Sequence, residues 1–189
     1  DVFNYTVRLE PNDGDLYNPP YIVDEFVTGQ TDGDFSVAIP TLNYSTTYKW
    51  LVNSTDGIGY TTYGFNFTTE INYGPGITTT YPVNDATDVP RDIGHLNFTI
   101  IDLNDDVFNY TVRLTENSGD LYNPPYIVEE FVTGQTNGDF TVAIPLLNYS
   151  TTYKWLVNST DGIGYTTYGF NFTTELNYSP SPSLPDPAN

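Results

Sequence analysis

Cysteine and methionine are absent from these 189 residues, histidine occurs once, and Lys and Arg total 5 against 24 Asp and Glu. The lack of cysteine excludes disulfides, thiolate metal centres and cysteine nucleophiles. A single imidazole, His95, excludes a histidine-built metal site and leaves one candidate base of that kind. Five cations cannot build the broad basic surface that phosphate backbones require, which argues against nucleic acid as a partner. No run of ~18 apolar residues occurs, so nothing in this segment reads as a membrane-spanning helix.

What remains is acidic and rich in rings. The formal net charge is −19, and aromatics make up 16% of the chain, as 17 Tyr, 11 Phe and 2 Trp. Acidic disordered chains are poor in aromatics, so this composition describes a folded protein. The charge itself speaks for solubility and counter-cation binding rather than for fold.

An internal repeat organises the chain. Residues 1–73 align with 106–178 at an offset of 105 without a gap, and 65 of 73 positions are identical; the differences fall at 10, 11, 13, 24, 32, 36, 41 and 71. Pro180, Pro187 and Asn189 keep the same offset from Pro75, Pro82 and Asn84. The expected organisation is a partial repeat at 1–73, a complete repeat at 74–178, and a linker with the start of a third repeat at 179–189. A flexible Pro/Ser tail is the alternative for the last segment. The chain reads as a segment of a longer tandem array.

Within the complete repeat, apolar and polar residues alternate over short runs separated by turn residues. Leu96, Phe98 and Ile100 form one such run; Phe108, Tyr110, Val112 and Leu114 a second; Phe140, Val142 and Ile144, Tyr153 to Val157, and Tyr168 to Phe172 follow. Ile77 to Tyr81 and the weaker Ile127 to Gln135 complete the set. Period-two alternation gives each strand one core face and one wet face. About seven short strands in about 100 residues predict an all-β chain of two-sheet sandwiches.

The run Leu147-x-Tyr149-x-Thr151-x-Tyr153-x-Trp155-x-Val157 resembles the fibronectin type III pattern around its strand F, with Tyr153 and its copy Tyr48 at the corner position. Tyr149 stands where that family has proline, and Trp155 where it has an aliphatic residue. Tyr-Lys-Trp-Leu-Val followed by Asp-Gly and Phe-Asn-Phe-Thr-Thr is similar to the microbial surface-protein branch of that Ig-like family. The resemblance implies tandem seven-stranded sandwiches, with strands A, B and E in one sheet and C, C′, F and G in the other. It also implies a corner tyrosine whose hydroxyl bonds nearby backbone. The partial repeat then holds strands C to G and lacks A and B. Its uncovered inner face would include Phe3, Tyr5, Val7, Leu9, Tyr48, Trp50, Phe65 and Phe67, at a cost on the order of 10 kcal/mol. The missing strands would come from upstream sequence of the same native chain, or from another subunit by strand donation.

Three groups of candidate functional residues follow. Ten Asn-x-Ser/Thr sequons occur, at Asn4, Asn43, Asn53, Asn66, Asn97, Asn109, Asn148, Asn158, Asn171 and Asn177. They would carry N-linked glycan in a secreted protein, although strands with Asn and Thr on the wet face generate the motif unaided. Asn97, Asn109, Asn158 and Asn171 are expected to face outward. Asp102, Asn104, Asp105 and Asp106 lie in the B–C loop, and Asp161 in the F–G loop at the same pole. Such an oxygen set suits Ca²⁺, while Asp and Asn also simply make turns. The Tyr122-Asn-Pro-Pro-Tyr126 loop and its copy Tyr17 to Tyr21 present paired aromatics for domain packing or sugar stacking.

No Ser/His/Asp set stands in recognisable context, so the chain does not read as an enzyme. The expectation is a structural segment of an extracellular stalk, surface layer or filament, with copies of itself or neighbouring repeats as partners. Extreme acidity, Asn and Thr richness and absent cysteine suit an archaeal or bacterial cell surface. An adhesin or carbohydrate-binding module using the sandwich loops is the alternative function.

Overall fold

A computed structural model describes residues 2–180. The described residues form twelve strands and no helix. They divide into two units, Asp1–Asn72 and Tyr73–Asn189. The Tyr73 amide donates to Asn104 Oδ1 at 2.8 Å. The start of a third repeat, expected at 179–189, lies almost wholly outside the described residues.

The second unit is a complete sandwich. One sheet has the order β10-β7-β5, from Gly138–Ala143, His95–Ile101 and Gly76–Tyr81. The other has the order β6-β12-β11-β8-β9, from Ala86–Val89, Tyr165–Thr174, Thr152–Thr160, Phe108–Glu116 and Val128–Gln135. In the letters used above these are E-B-A facing G-F-C-C′, with β6 added beside G. The alternation read from sequence is the alternation of the core. Leu96, Phe98, Ile100 and Val142 from one sheet meet Phe108, Tyr110, Val112, Leu114, Tyr153, Trp155, Val157 and Phe172 from the other. Strand β6 was not expected. Residues 86–89 show no alternation, and they pair in parallel with β12, through Phe172↔Ala86 and Thr174↔Val89.

The corner tyrosine forms in both copies. Tyr153 Oη accepts the Asn148 amide at 2.9 Å, and Tyr48 Oη accepts the Asn43 amide at 3.0 Å. Both rings are buried, so each phenol spends its one polar atom on backbone five residues upstream. Tyr153→Phe keeps the packing and orphans that amide. It should cost about 1–2 kcal/mol with an unchanged denaturant slope, read by chemical unfolding.

The first unit has one sheet, in the order β2-β1-β3-β4, from Val23–Gln30, Phe3–Pro11, Thr47–Thr55 and Tyr60–Thr68. These are C′, C, F and G. The expected strand E is not there. Residues 33–38 copy β10 except at one position, Ser36 for Thr141, yet they form no strand. The reason is pairing: β10 bonds only to β7, from Asp139↔Thr99 to Ala143↔His95, and the first unit has no counterpart of β7. A lone extended segment has no ladder to join.

The segment nonetheless keeps its side-chain contacts. Phe35 sits 5.9 Å from Phe3 and 5.1 Å from Tyr5, as Phe140 sits 6.0 Å from Phe108 and 4.9 Å from Tyr110. Tyr5, Leu9 and Tyr48 are buried, Tyr5 against Phe35, which corrects the expectation that all eight inner-face side chains lie uncovered. The rest of that face remains open. Phe67 is 37% exposed where its copy Phe172 is 1% exposed, and Phe65 is 47% exposed. Trp50 is half-buried where Trp155 is wholly buried.

Candidate functional site

Three carboxylates converge at one pole of the second unit. Asp102 follows β7, Asp106 precedes β8, and Asp161 follows β11. Each offers a carboxylate oxygen, and the three oxygens lie within 4.8 Å of one another. The other two residues read as ligands lie in the same loop. Asn104 Oδ1 accepts the Tyr73 amide. Asp105 takes a positive φ of 59° and accepts from Asn137 Nδ2 at 2.7 Å.

Asp102 is the most constrained member, at 1% exposure. Its Oδ1 accepts the Asn104 amide at 2.9 Å and the Asp106 amide at 3.3 Å, closing the turn into β8. Its amide donates to Asn137 Oδ1 at 2.6 Å, and its carbonyl accepts from Asn137 Nδ2 at 3.0 Å. Its Oδ2 is buried with no hydrogen-bond donor among the described residues. Asp161 Oδ1 accepts the amides of Ile163 and Gly164 at 2.7 and 2.6 Å, so a tight turn holds it in place. The linker runs through this pole: Ser159 Oγ donates to the Pro75 carbonyl at 2.8 Å, and a Cβ on Gly74 would press on the backbone of Gly164 and Tyr165.

Asn137 was missed in the sequence reading. It is one of the eight positions that differ between copies, facing Asp32, and that difference was the available signal. An amide side chain can both donate to and accept from the Asp102 backbone, which a carboxylate cannot do.

The first unit's open sheet is the second candidate. A groove of about 680 Å³ runs over it, lined by Phe3, Val7, Trp50, Val52 and Phe67 from the strands and by Phe35, Val37 and Ile39 from the unpaired segment. In the second unit β5 and β7 lie on the corresponding face, where Phe98 meets Tyr110 at 5.3 Å and Trp155 at 6.3 Å.

The paired tyrosines divide by role. Tyr21 and Tyr126 lie under the guanidinium groups of Arg8 and Arg113, at 4.6 and 4.9 Å from the ring centres. The same arginines bond Asp24 at 3.0 Å and Glu129 at 2.8 Å. Leu51 and Leu156, opposite those arginines on the wet face, are buried. Arg stems cover apolar surface while their heads stay wet, which alternation alone does not foretell. Tyr17 and Tyr122 are 73% and 70% exposed.

The sequons divide too. Asn43, Asn53, Asn66, Asn148, Asn158 and Asn177 are exposed. Asn4, Asn97, Asn109 and Asn171 are half-buried, with Oδ1 accepting from the Gly29 amide, Thr141 Oγ1, the Gly134 amide and the Asp85 amide respectively. Of the four expected to face outward, only Asn158 is fully so. Asn4 and Asn109 bridge to the adjacent strand where its register shifts.

Turn carboxylates account for part of the acidity. The Asn18 amide group and the Tyr17 N–H hold the Asp15 carboxyl below its ordinary pKa; Asn123 and the Tyr122 N–H do the same for Asp120, and the Gly59 and Ile58 amides for Asp56. Each folded pKa is depressed, so these turns are fully supported above the ordinary Asp value of about 3.9. That support is lost as pH falls through the lower folded values. Carboxyl NMR titration should show these three below the reference range.

No family model and no curated protein matches the chain. Solved structures with similar chains include the FN1–FN3 domains of chicken CNTN1, at 14% identity and a TM-score of 0.34, covering 92% of this chain and 57% of that one. Another is titin z1z2 in complex with telethonin, at 12% identity and a TM-score of 0.42, covering 93% of this chain and 83% of that one. The chain therefore spans less than two thirds of the first of these. In their own strand order and pairing, the described residues are all-β, with a two-sheet sandwich of the Ig-like, fibronectin type III-like kind complete in the second unit.

Proposed function

We propose that this chain is a structural repeat segment of an extracellular stalk, surface layer or filament, whose units are completed and held by copies of the same repeat. One observation carries this reading. Two nearly identical sequences take a closed and an open form, and they differ in whether strands of the β5 and β7 kind lie on the inner face. A sheet whose apolar face needs two more strands of its own repeat is built for an array. Strand donation from another copy of the repeat would supply such strands. Exposed Asn43, Asn53, Asn66, Asn148, Asn158 and Asn177 are the proposed glycan acceptors.

The fold supports a non-enzymatic role, since Ig-like sandwiches commonly serve as structural or adhesive repeats. Extracellular placement rests on the sequon density and the absence of cysteine. Imaging of the native assembly tests the proposal. A periodic array with a unit length on the order of 30 Å is expected, from strands of about nine residues at 3.3 Å each. A dispersed monomer with an uncovered first sheet would contradict it.

A further inference from the structure

We infer that Asp102, Asp106 and Asp161 form a Ca²⁺ site at the pole where the linker enters the second unit. A group of acidic side chains alone would not carry this, because exposed carboxylates gather without a ligand. The decisive feature is Asp102. Its side chain is 1% exposed and contributes to the cluster, yet Oδ2 is buried with no donor to satisfy it. A buried carboxylate oxygen without a partner is strongly unfavourable, and beside two further carboxylates it is more so. A cation supplies what every described neighbour fails to supply.

The dimensions admit calcium. Calcium holds oxygens at 2.3–2.6 Å, so two ligands on opposite sides of one ion stand about 4.8 Å apart. Three carboxylate oxygens within 4.8 Å of one another can therefore share one calcium. Two of the three carboxyls are already fixed by backbone donors, Asp102 through the amides of residues 104 and 106 and Asp161 through those of residues 163 and 164. The ion thus meets a preformed arrangement, and water completes its six to eight oxygens.

The site lies wholly within the second unit and stands independently of any role in an array. The test is calorimetric titration of the full chain with CaCl₂, with melting curves in chelator and in calcium. Wild type is expected to bind one Ca²⁺ on the second unit with a Kd in the range of about 10⁻⁴–10⁻³ M typical of extracellular modules. Its melting should rise by about 5–10 °C at tenfold excess over Kd. Asp102→Asn keeps the acceptor at Oδ1 but offers an N–H to the cluster. It should melt no lower than wild type in chelator, weaken binding at least tenfold, and lose the calcium shift. Asp161→Asn provides a second variant that keeps its turn, with the same expected loss. Two results would overturn the site: no calcium-dependent heat or shift in wild type, or an equal shift in wild type and both variants. The latter is screening of the −19 net charge.

Discussion

Fusing residues 74–105 ahead of Asp1 should convert the first unit into a second closed sandwich. The offset of 105 places these residues where the repeat requires strands of the β5 and β7 kind. Phe3, Val7, Trp50, Val52 and Phe67 would then acquire the cover their copies have. Completing their burial at ~1.5–3 kcal/mol for a fully buried side chain should stabilise the first unit by about 5 kcal/mol or more. The two tryptophans make the change easy to follow. Trp50 and Trp155 are the only indoles, and the added segment contains none. Trp50 emission should move to the blue until it matches Trp155, binding of an apolar dye to the first unit should fall, and the two units should melt together. If Trp50 emission and the melting curve stay unchanged, the open face is not a vacancy for these strands.

Trp155→Ala and Trp50→Ala should differ by several kcal/mol although the residues flanking them are identical from 42 to 70 and from 147 to 175. Trp155 is 0% exposed, against Phe170 at 4.7 Å and Phe98 at 6.3 Å. Its loss should cost about 3–5 kcal/mol, a large part of a domain's whole stability. Trp50 keeps the matching stack, 4.7 Å from Phe65, but has no counterpart of Phe98 above it. Its loss should cost about 1 kcal/mol. Strand propensity cancels between the copies, so the difference isolates burial by the second sheet. In the fused chain Trp50→Ala should become as damaging as Trp155→Ala. Unit-resolved NMR signals during denaturation read both substitutions.

The strands of the complete unit were legible because each has one apolar face at period two, and the tyrosine corner because its spacing is local. Strand E of the first unit shows the limit. Residues 33–38 carry almost the same pattern as β10, but a strand exists only where another backbone accepts its hydrogen bonds, and that partner is distant in sequence. Strand β6 was hidden for a related reason: Ala86–Val89 owes its conformation to parallel pairing with β12 rather than to a pattern of its own. Leu156 looks wet by alternation and is buried, opposite Arg113, whose guanidinium stacks on Tyr126. The acidic pole was legible in part. Asp102, Asp106 and Asp161 come together once the loops joining strands B to C and F to G are placed at one end. Asn104 and Asp105 were read from the same loop run, and there they accept hydrogen bonds from the Tyr73 amide and from Asn137. Asn137, which fixes Asp102 from both sides, lies 35 residues away and carried no signal except its replacement in the other copy.

Amide hydrogen exchange over residues 33–38 and 138–143 tests the central claim most directly, because it reads backbone pairing in two nearly identical sequences within one molecule. In the chain as it stands, the alternate amides of 138–143 that bond to β7 should be protected, and those of 33–38 should exchange at rates close to an unstructured peptide. With residues 74–105 fused ahead of Asp1, both segments should be protected alike. Equal protection in the unfused chain would contradict the account, since it would mean that the first unit forms its strand E without a partner strand of its own repeat.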